Sequence, residues 1–310
     1  MTLVAKLLLI DPQNDFCDTA LPLRPVVGEE LIDGRRTLVS ESPALAVPGS
    51  HADMQRMAGF IEKAGKHLSG IVATMDAHPF VAIERTTFWQ NEAGEEVAPF
   101  TQITSLSVLA GNHAPFNADR IDPVSGKRIG DRVVELLQRL ESAGRFTLMA
   151  WPVHCVTGTW GAALHPAITA ALNQWERARG TSVHKVHKGQ YALAEHYGVF
   201  EAETPIAEVP STQFNTALAD DLRCDVLFLG GEASSHCVAT SYYQLLAYRG
   251  TGADIVLLTD CMSPVPGFEA AHEQFLAKAQ ASGSLLMTAS DAVRYLAGRV
   301  ADSLLAEIRS

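Results

Sequence analysis

The chain has 310 residues, and its 35 acidic side chains outnumber its 24 basic ones, which makes the formal net charge −11. This balance argues against binding to nucleic acid or to anionic membranes, because both reward clusters of Lys and Arg, and we expect neither as a partner. Hydrophobic residues make up 47% and charged residues 19%, which is typical of globular proteins. No apolar run approaches the ~18 residues that a membrane-spanning helix needs.

The cysteines indicate a reducing compartment. There are five of them, scattered along the chain and without a Cys-x-x-Cys pair, which favours free thiols over a disulfide framework. The first residues contain one Lys and a short apolar run that ends at Asp11, so we expect no signal peptide and a cytoplasmic protein.

Short apolar runs alternate with longer amphipathic segments, a pattern typical of βαβ units around a parallel sheet. The predicted strands are Ala5–Ile10, Ile71–Met75, Phe146–Ala150, Val183–Val186, Val226–Leu229 and Ile255–Leu258, with a seventh candidate at Leu285–Thr288. The predicted helices are about His51–His67, Asp131–Ala143, Pro166–Arg179, His236–Tyr248, Phe268–Ala281 and Asp291–Leu305. We expect Asp131 to cap its helix, and Gly144 and Gly250 to end theirs.

Two segments rich in Pro and Gly, at about 17–50 and 89–130, interrupt this alternation. The length alone suggests two domains, but the strand pattern continues across both segments. We therefore predict a single domain over residues 1–310 in which these segments are elaborations. Long insertions of this kind often form lids or subunit contacts, and we expect a homo-oligomer.

Ionisable residues follow five of the predicted strands, and the carboxyl ends of parallel strands are where such sheets bind ligands. Taken alone, an Asp after a strand is usually a turn residue, a free Cys is usually a small buried hydrophobe, and a Lys is usually solvated. Five such placements at one edge favour a site. The residues are Asp11, Asp76 with His78, His154, Lys188 and Cys237.

Two kinds of chemistry follow from these residues. Asp76, His78 and His154 offer carboxylate and imidazole without thiolate, a donor set that suits Zn²⁺, with Fe²⁺ or Mn²⁺ as alternatives. Cys237 stands at a predicted helix start, which favours the thiolate, and Asp11 could take its proton. Backbone N–H groups at that helix start could hold an oxyanion. The combination predicts amide hydrolysis through a thioester.

Six motifs stand out: LLLIDPQNDFC, the Asp76-x-His78-Pro79 segment, WPVHCVTGTWGAALHP, HKG, GGEASSHCVATS and LLTDCMSPVPGFE. Together they resemble the isochorismatase-like cysteine hydrolases, and within them the nicotinamidases. The FWQNEAGEEVAPFT-like insertion and the EHYGVF segment are similar to those of long bacterial nicotinamidase-related amidases. The resemblance covers most of the chain and implies an α/β fold: a Rossmann-like three-layer α/β/α architecture with a six-stranded parallel sheet.

The resemblance also implies roles for particular residues. It implies a triad of Asp11, Lys188 and Cys237, and an oxyanion hole at the backbone N–H groups of Ala233 and Cys237, with a cis peptide before Ala233. It implies a substrate ring between Phe16 and Trp151. The implied metal ligands are Asp76, His78 and His154, with Glu84 as the fourth, standing where the family commonly has another His.

The predicted function is a metal-dependent cysteine amidohydrolase that releases ammonia from a small heteroaromatic carboxamide such as nicotinamide. One alternative is an amidase of the same mechanism that acts on a ureido or maleamate-type amide. Another is a non-catalytic scaffold, in which Cys237 would react no faster than Cys224. Hydrolysis of the vinyl ether of isochorismate fits less well, since that branch uses neither the Cys nucleophile nor the metal set.

Overall fold

A computed structural model of the chain describes residues 3–33, 35–144 and 146–309. Its strands are β1 Ala5–Ile10, β2 Val26–Ile32, β3 Arg35–Ser40, β4 Gly70–Asp76, β5 Trp89–Asn91, β6 Thr101–Ile103, β7 His113–Pro115, β8 Leu148–Ala150, β9 His184–Lys188, β10 Val226–Gly231, β11 Ile255–Leu258 and β12 Leu285–Met287. Its α-helices are α1 Ser50–Ala64, α2 Ser105–Leu109, α3 Ile129–Ala143, α4 Pro166–Arg179, α5 Thr216–Asp221, α6 Ala239–Arg249, α7 Glu269–Ala281 and α8 Ala289–Arg309.

A six-stranded parallel sheet forms the centre, in the order β12-β11-β10-β1-β4-β9. Successive side chains of a strand point to opposite faces, and β1 buries both sets. Leu7 and Leu9 pack into a core with α1, α4 and α8. Leu8 and Ile10 pack into a second core with α5, α6 and α7. Helices cover both faces, which confirms the predicted three-layer α/β/α fold and explains why its strands are continuously apolar.

One predicted strand of this sheet lies elsewhere. The run Phe146–Ala150 contributes β8, which pairs antiparallel with β6 in a separate two-stranded sheet. The sixth place in the central sheet belongs to β12, which extends the far edge beside β11. The hydrophobicity of a short run indicates that it is buried, but it does not indicate which strand it pairs with. The partner of β8 is β6, which lies inside the 89–130 segment.

The helix boundaries largely agree with the predictions. Gly144 and Gly250 adopt left-handed conformations, with φ of 67° and 75°, and end α3 and α6 as expected. The expected cap at Asp131 is wrong: Arg128 is the N-cap of α3, and Asp131 lies in the first turn. An acidic side chain is favourable there because it faces the positive end of the helix dipole. The short helix α5 was not predicted.

The two interrupting segments contain secondary structure of their own. The first carries the β2–β3 antiparallel hairpin, whose side chains are mostly exposed. The second carries β5, β6, α2 and β7, and its Trp89 and Ile103 pack with α3 and β8 in a third core. Within the described residues no helix is long and apolar enough to cross a membrane. The single-domain organisation stays a prediction.

Candidate active site

The sheet register brings the predicted site residues together. Ile10 of β1 pairs with Gly231 of β10, so Asp11 and the Glu232–Ala233 turn leave the sheet side by side. In β4 and β9, Asp76 pairs directly with Lys188. A Cβ on Gly231, which has a φ of 129°, would lie 2.0 Å from the carbonyl oxygen of Ile10, so only glycine fits this close approach.

These strand ends open into a small pocket lined by the predicted site residues. The lining combines aromatic and apolar residues with polar ones. The aromatic and apolar residues include Phe16, Leu45, Trp151, Tyr197 and Val265. The polar residues include Asp76, His78, Glu84, His154, Lys188, Glu195, His196 and Cys237.

Lys188 is the centre of what we call the nucleophile end of the pocket, formed by Asp11, Lys188 and Cys237. The Lys188 Nζ lies 3.0 Å from Asp11 Oδ2 and 3.6 Å from Cys237 Sγ. It also lies 3.1 Å from Asp76 Oδ1. The hydroxyl of Thr74 donates a 2.6 Å hydrogen bond to Asp11 Oδ1 and fixes the carboxylate. All three predicted triad residues therefore meet around one buried ammonium group.

Burial and charge set the protonation of this end. Burial would lower the pKa of Lys188, but Asp11 and Asp76 outweigh it and hold that pKa well above its ordinary value. Burial raises the pKa of the Cys237 thiol well above its ordinary value, although Lys188 opposes this shift. The sequence led us to expect a lowered thiol pKa from the helix start. The structure gives the opposite direction, because desolvation dominates, and the thiol therefore needs a base.

The polypeptide around Cys237 forms a tight turn between β10 and α6. Cys237 lies in a π-helical turn, Ser234–Val238, that leads directly into α6. The Glu232–Ala233 peptide bond is cis, as the resemblance implied. Ala233 and Cys237 both line the pocket, and their role as an oxyanion hole stays a prediction.

Aromatic side chains form another part of the pocket lining, which we call the aromatic wall: Phe16, Trp151 and Tyr197. Trp151 Nε1 donates a 3.0 Å hydrogen bond to the hydroxyl of Tyr197, which fixes the indole plane. The ring of His236 packs edge-on against Trp151, with centroids 5.3 Å apart, and burial lowers its pKa to about 4. Phe16 packs edge-on against His154 at 5.2 Å. The wall thus consists of neutral rings suited to a flat substrate.

The four predicted metal ligands, Asp76, His78, Glu84 and His154, come together at what we call the acidic end of the pocket. His78 Nδ1 lies 2.6 Å from Asp76 Oδ1, and His154 Nε2 lies 3.3 Å from Asp76 Oδ2. His78 Nε2 is 3.9 Å from Glu84 Oε1. Gly189, with a φ of 77°, leaves space for the imidazole, since a Cβ there would lie 2.2 Å from His78 Cε1.

This donor set does not fit a metal ion as placed, because a buried guanidinium already contacts it. Arg85 Nη2 lies 3.4 Å from Asp76 Oδ2, and Arg85 Nε lies 3.0 Å from Glu84 Oε1. Arg85 Nη1 lies 3.0 Å from His154 Nε2. Over the part of the chain that the structure describes, no three His, Cys, Asp or Glu side chains are arranged to hold a metal ion.

Sequence reasoning missed several residues of this end. Arg85 lies outside the sequence motifs, and Glu195 and His196 lie in the EHYGVF segment, to which the sequence assigns no role. Burial raises the pKa of Glu195 to about 7 and lowers that of His196 to about 3. Glu195 Oε1 lies 3.8 Å from His78 Nε2, so the EHYGVF segment also lines the acidic end of the pocket.

No protein-family model and no curated protein matches the chain. Solved structures do. The chain is similar to a nicotinamidase and pyrazinamidase of Acinetobacter baumanii, at 17% identity and a TM-score of 0.55, over 93% of this chain and 97% of that one. It is similar to the yeast nicotinamidase at 20% identity and a TM-score of 0.57, over 92% and 99%. The yeast enzyme bound to the inhibitor nicotinaldehyde aligns at 19% identity with the same TM-score, over 92% and 100%.

These similarities extend over nearly the whole of each chain. They confirm that the central sheet and its helical layers form the fold found in nicotinamidases, which is the fold that the sequence motifs implied.

Proposed function

We propose that this protein is a cysteine amidohydrolase that releases ammonia from a small, planar carboxamide through a thioester on Cys237. One observation carries the proposal: the buried ammonium of Lys188 lies 3.0 Å from the Asp11 carboxylate and 3.6 Å from the Cys237 sulfur, in a pocket with an aromatic wall. A nucleophile, a base and a fixed cation at these distances are the parts that amide cleavage needs.

The first half of the reaction forms the thioester. Asp11 accepts the thiol proton while Cys237 Sγ attacks the carbonyl carbon of the amide. Lys188 stabilises the negative charge on Asp11 before the transfer and on sulfur as the proton leaves. Backbone N–H groups at Ala233 and Cys237 donate to the carbonyl oxygen as it becomes an oxyanion. The proton held by Asp11 then passes to the leaving nitrogen, the C–N bond breaks and ammonia departs.

The second half regenerates the thiol. Water attacks the thioester carbon, and Asp11 accepts one of its protons. The C–S bond breaks, the carboxylic acid is released, and the proton returns from Asp11 to the Cys237 sulfur. The net reaction consumes one amide and one water and yields one acid and one ammonia, so no oxidant or other co-reactant is needed.

The shape of the pocket indicates the substrate class. Phe16 and Trp151 present neutral aromatic surfaces, which favour a flat ring that carries the carboxamide. Among the described residues, His78 Nε2 and His196 Nε2 have no hydrogen-bond partner, so polar atoms of the ring or water could bind there. Two similar structures are nicotinamidases, which makes nicotinamide and pyrazinamide the first compounds to test.

The test is ammonia release from a panel of nicotinamide, pyrazinamide, a ureido compound and a maleamate. We expect turnover of at least one ring carboxamide, and Cys237→Ala should lower it by at least about 10⁴-fold, as loss of a nucleophile does in other hydrolases. Cys224→Ala is the matched control and should retain full activity, because that thiol lies outside the pocket. Undiminished activity in Cys237→Ala would disprove the mechanism. Ammonia release from none of these compounds would favour the scaffold alternative.

A further inference from the structure

Arg85 is buried without exposed surface, and its guanidinium lies among the side chains that the sequence predicts as metal ligands. Its Nε approaches Glu84 Oε1 at 3.0 Å, and its Nη2 approaches Asp76 Oδ2 at 3.4 Å. Its Nη1 contacts the imidazole of His154 and lies 3.4 Å from the carbonyl oxygen of Pro152. Three of the four predicted ligands therefore already contact one cationic side chain.

The backbone fixes this placement. Trp151 N donates to the carbonyl oxygen of Glu84 at 2.8 Å, and Thr86 N donates to the carbonyl oxygen of Trp151 at 3.1 Å. Arg85 is thereby held in a parallel bridge opposite Trp151, three residues before His154. A tight turn, in which Arg85 N donates to the carbonyl oxygen of Ala82 at 2.8 Å, sets the direction of the chain before the bridge. The guanidinium is thus held between the acidic end of the pocket and the 151–154 segment.

A guanidinium remains protonated in proteins, so this charge is permanent. A divalent cation bound by Asp76 and His154 would lie within a few ångströms of it, in a buried site where like charges repel strongly. The ion and Arg85 would also compete for the same carboxylate oxygens. The two cations therefore exclude each other at this position.

We propose that Arg85 is the resident cation of the acidic end, and that the protein works without the divalent metal that its sequence predicts. Arg85 is a positioning residue, since it lies behind the pocket lining and acts through Asp76 and His154. Asp76 connects the two ends: one oxygen is 3.1 Å from Lys188 Nζ and the other is 3.4 Å from Arg85 Nη2. Arg85 thereby helps to hold the carboxylate that orients Lys188.

The first experiment measures metal directly. The full chain is dialysed against a strong chelator, incubated with Zn²⁺, Mn²⁺ or Fe²⁺, desalted and analysed by inductively coupled plasma mass spectrometry and by thermal unfolding. We expect far less than one ion per chain, no metal-dependent rise in Tm, and ammonia release that chelation does not change. One retained ion per chain, or activity lost to the chelator and restored by a metal, would overturn the proposal.

Two variants sharpen the test. Arg85→His removes the permanent charge and adds an imidazole beside Asp76 and His154, so we expect it to take up one metal ion and gain a metal-dependent Tm. Arg85→Lys retains a positive charge and should take up none. Equal metal uptake by the wild-type chain and by Arg85→His would show that Arg85 does not exclude the ion. If Arg85→His does not fold, the metal content of the wild-type chain and of Arg85→Lys decides.

Only the activity measurement rests on the proposed function. A chain that cleaves no amide on the panel but also retains no metal would disprove the amidase and leave the assignment of Arg85 intact. A chain that cleaves the amide only with bound metal would support the amidase and disprove the assignment of Arg85.

Discussion

The two ends of the pocket share Asp76 but are built on different cations. At the nucleophile end, Lys188 contacts Asp11, Asp76 and Cys237, and two of these, Asp11 and Cys237, exchange the proton in the proposed mechanism. At the acidic end, Arg85 contacts Asp76, Glu84 and a histidine, and none of these groups is a nucleophile. In the proposed mechanism the nucleophile end therefore supplies the reacting groups, and the acidic end positions Asp76.

The largest effect is expected at the nucleophile end. Asp11→Asn keeps the shape of the side chain and its contact with Thr74 but removes the base, so kcat should fall by about 10²–10⁴-fold. Steady-state ammonia release measures this. Asp119→Asn is the control, because that carboxylate is 90% exposed and should leave kcat unchanged. A rise in KM with kcat unchanged would show that Asp11 binds substrate and does not move the proton.

The aromatic wall should influence binding more than chemistry. Trp151→Leu removes one face of the substrate site, and we expect KM to rise about tenfold with a smaller change in kcat, which corresponds to about 1.4 kcal/mol. Tyr197→Phe is the matched variant, since it removes only the hydroxyl that accepts from Trp151 Nε1 and should change KM less. If Tyr197→Phe raised KM as much as Trp151→Leu, the orientation of the indole would matter more than its surface.

The smallest effect concerns a support behind the nucleophile end. His165 caps α4, its backbone N donates to the carbonyl oxygen of Pro12 just after Asp11, and its Nε2 lies 2.9 Å from His51 Nδ1. Burial lowers the pKa of His165 to about 4. In the unfolded chain His165 binds a proton near pH 6.5, whereas in the folded chain it binds one only near pH 4. The stability that is present above pH 6.5 is therefore lost as the pH falls toward 4.

Urea unfolding at pH 7 and pH 4.5 measures this loss. After allowance for solvent screening we expect His165 to account for about 2 kcal/mol of it. His165→Asn retains a residue type that caps helices well but does not titrate, and its stability should fall less over the same interval. An identical fall in both proteins would show that His165 is not the group responsible.

Most of the fold could be predicted because its strands are short buried runs between turn residues. The sequence misplaced one strand because an apolar run looks the same in either sheet. Leu148–Ala150 is buried like the strands of the central sheet, yet it pairs with β6. The edge strand Leu285–Met287 is only partly buried and was therefore the least evident from its sequence.

The candidate site also contains residues that the sequence predicts and residues that it does not. Asp11 and Cys237 follow strands of the central sheet and Lys188 ends one, so the sequence order itself predicted their meeting. Arg85 follows no strand, and its position depends on the backbone bridge to Trp151, a long-range pairing that no local pattern reports. The direction of the thiol pKa was also missed, because burial is a property of the folded pocket and not of the helix start alone.

The central claim is that Cys237 forms a covalent acyl intermediate. The most direct measurement is acid quench of the enzyme during turnover of nicotinamide or pyrazinamide, followed by mass spectrometry of the intact chain and of its peptides. The account predicts a mass increase equal to the acyl group, located on the peptide that contains Cys237 and missing from Cys237→Ala. Turnover in which no acyl group is ever found on Cys237, with ammonia still released by Cys237→Ala, would contradict it.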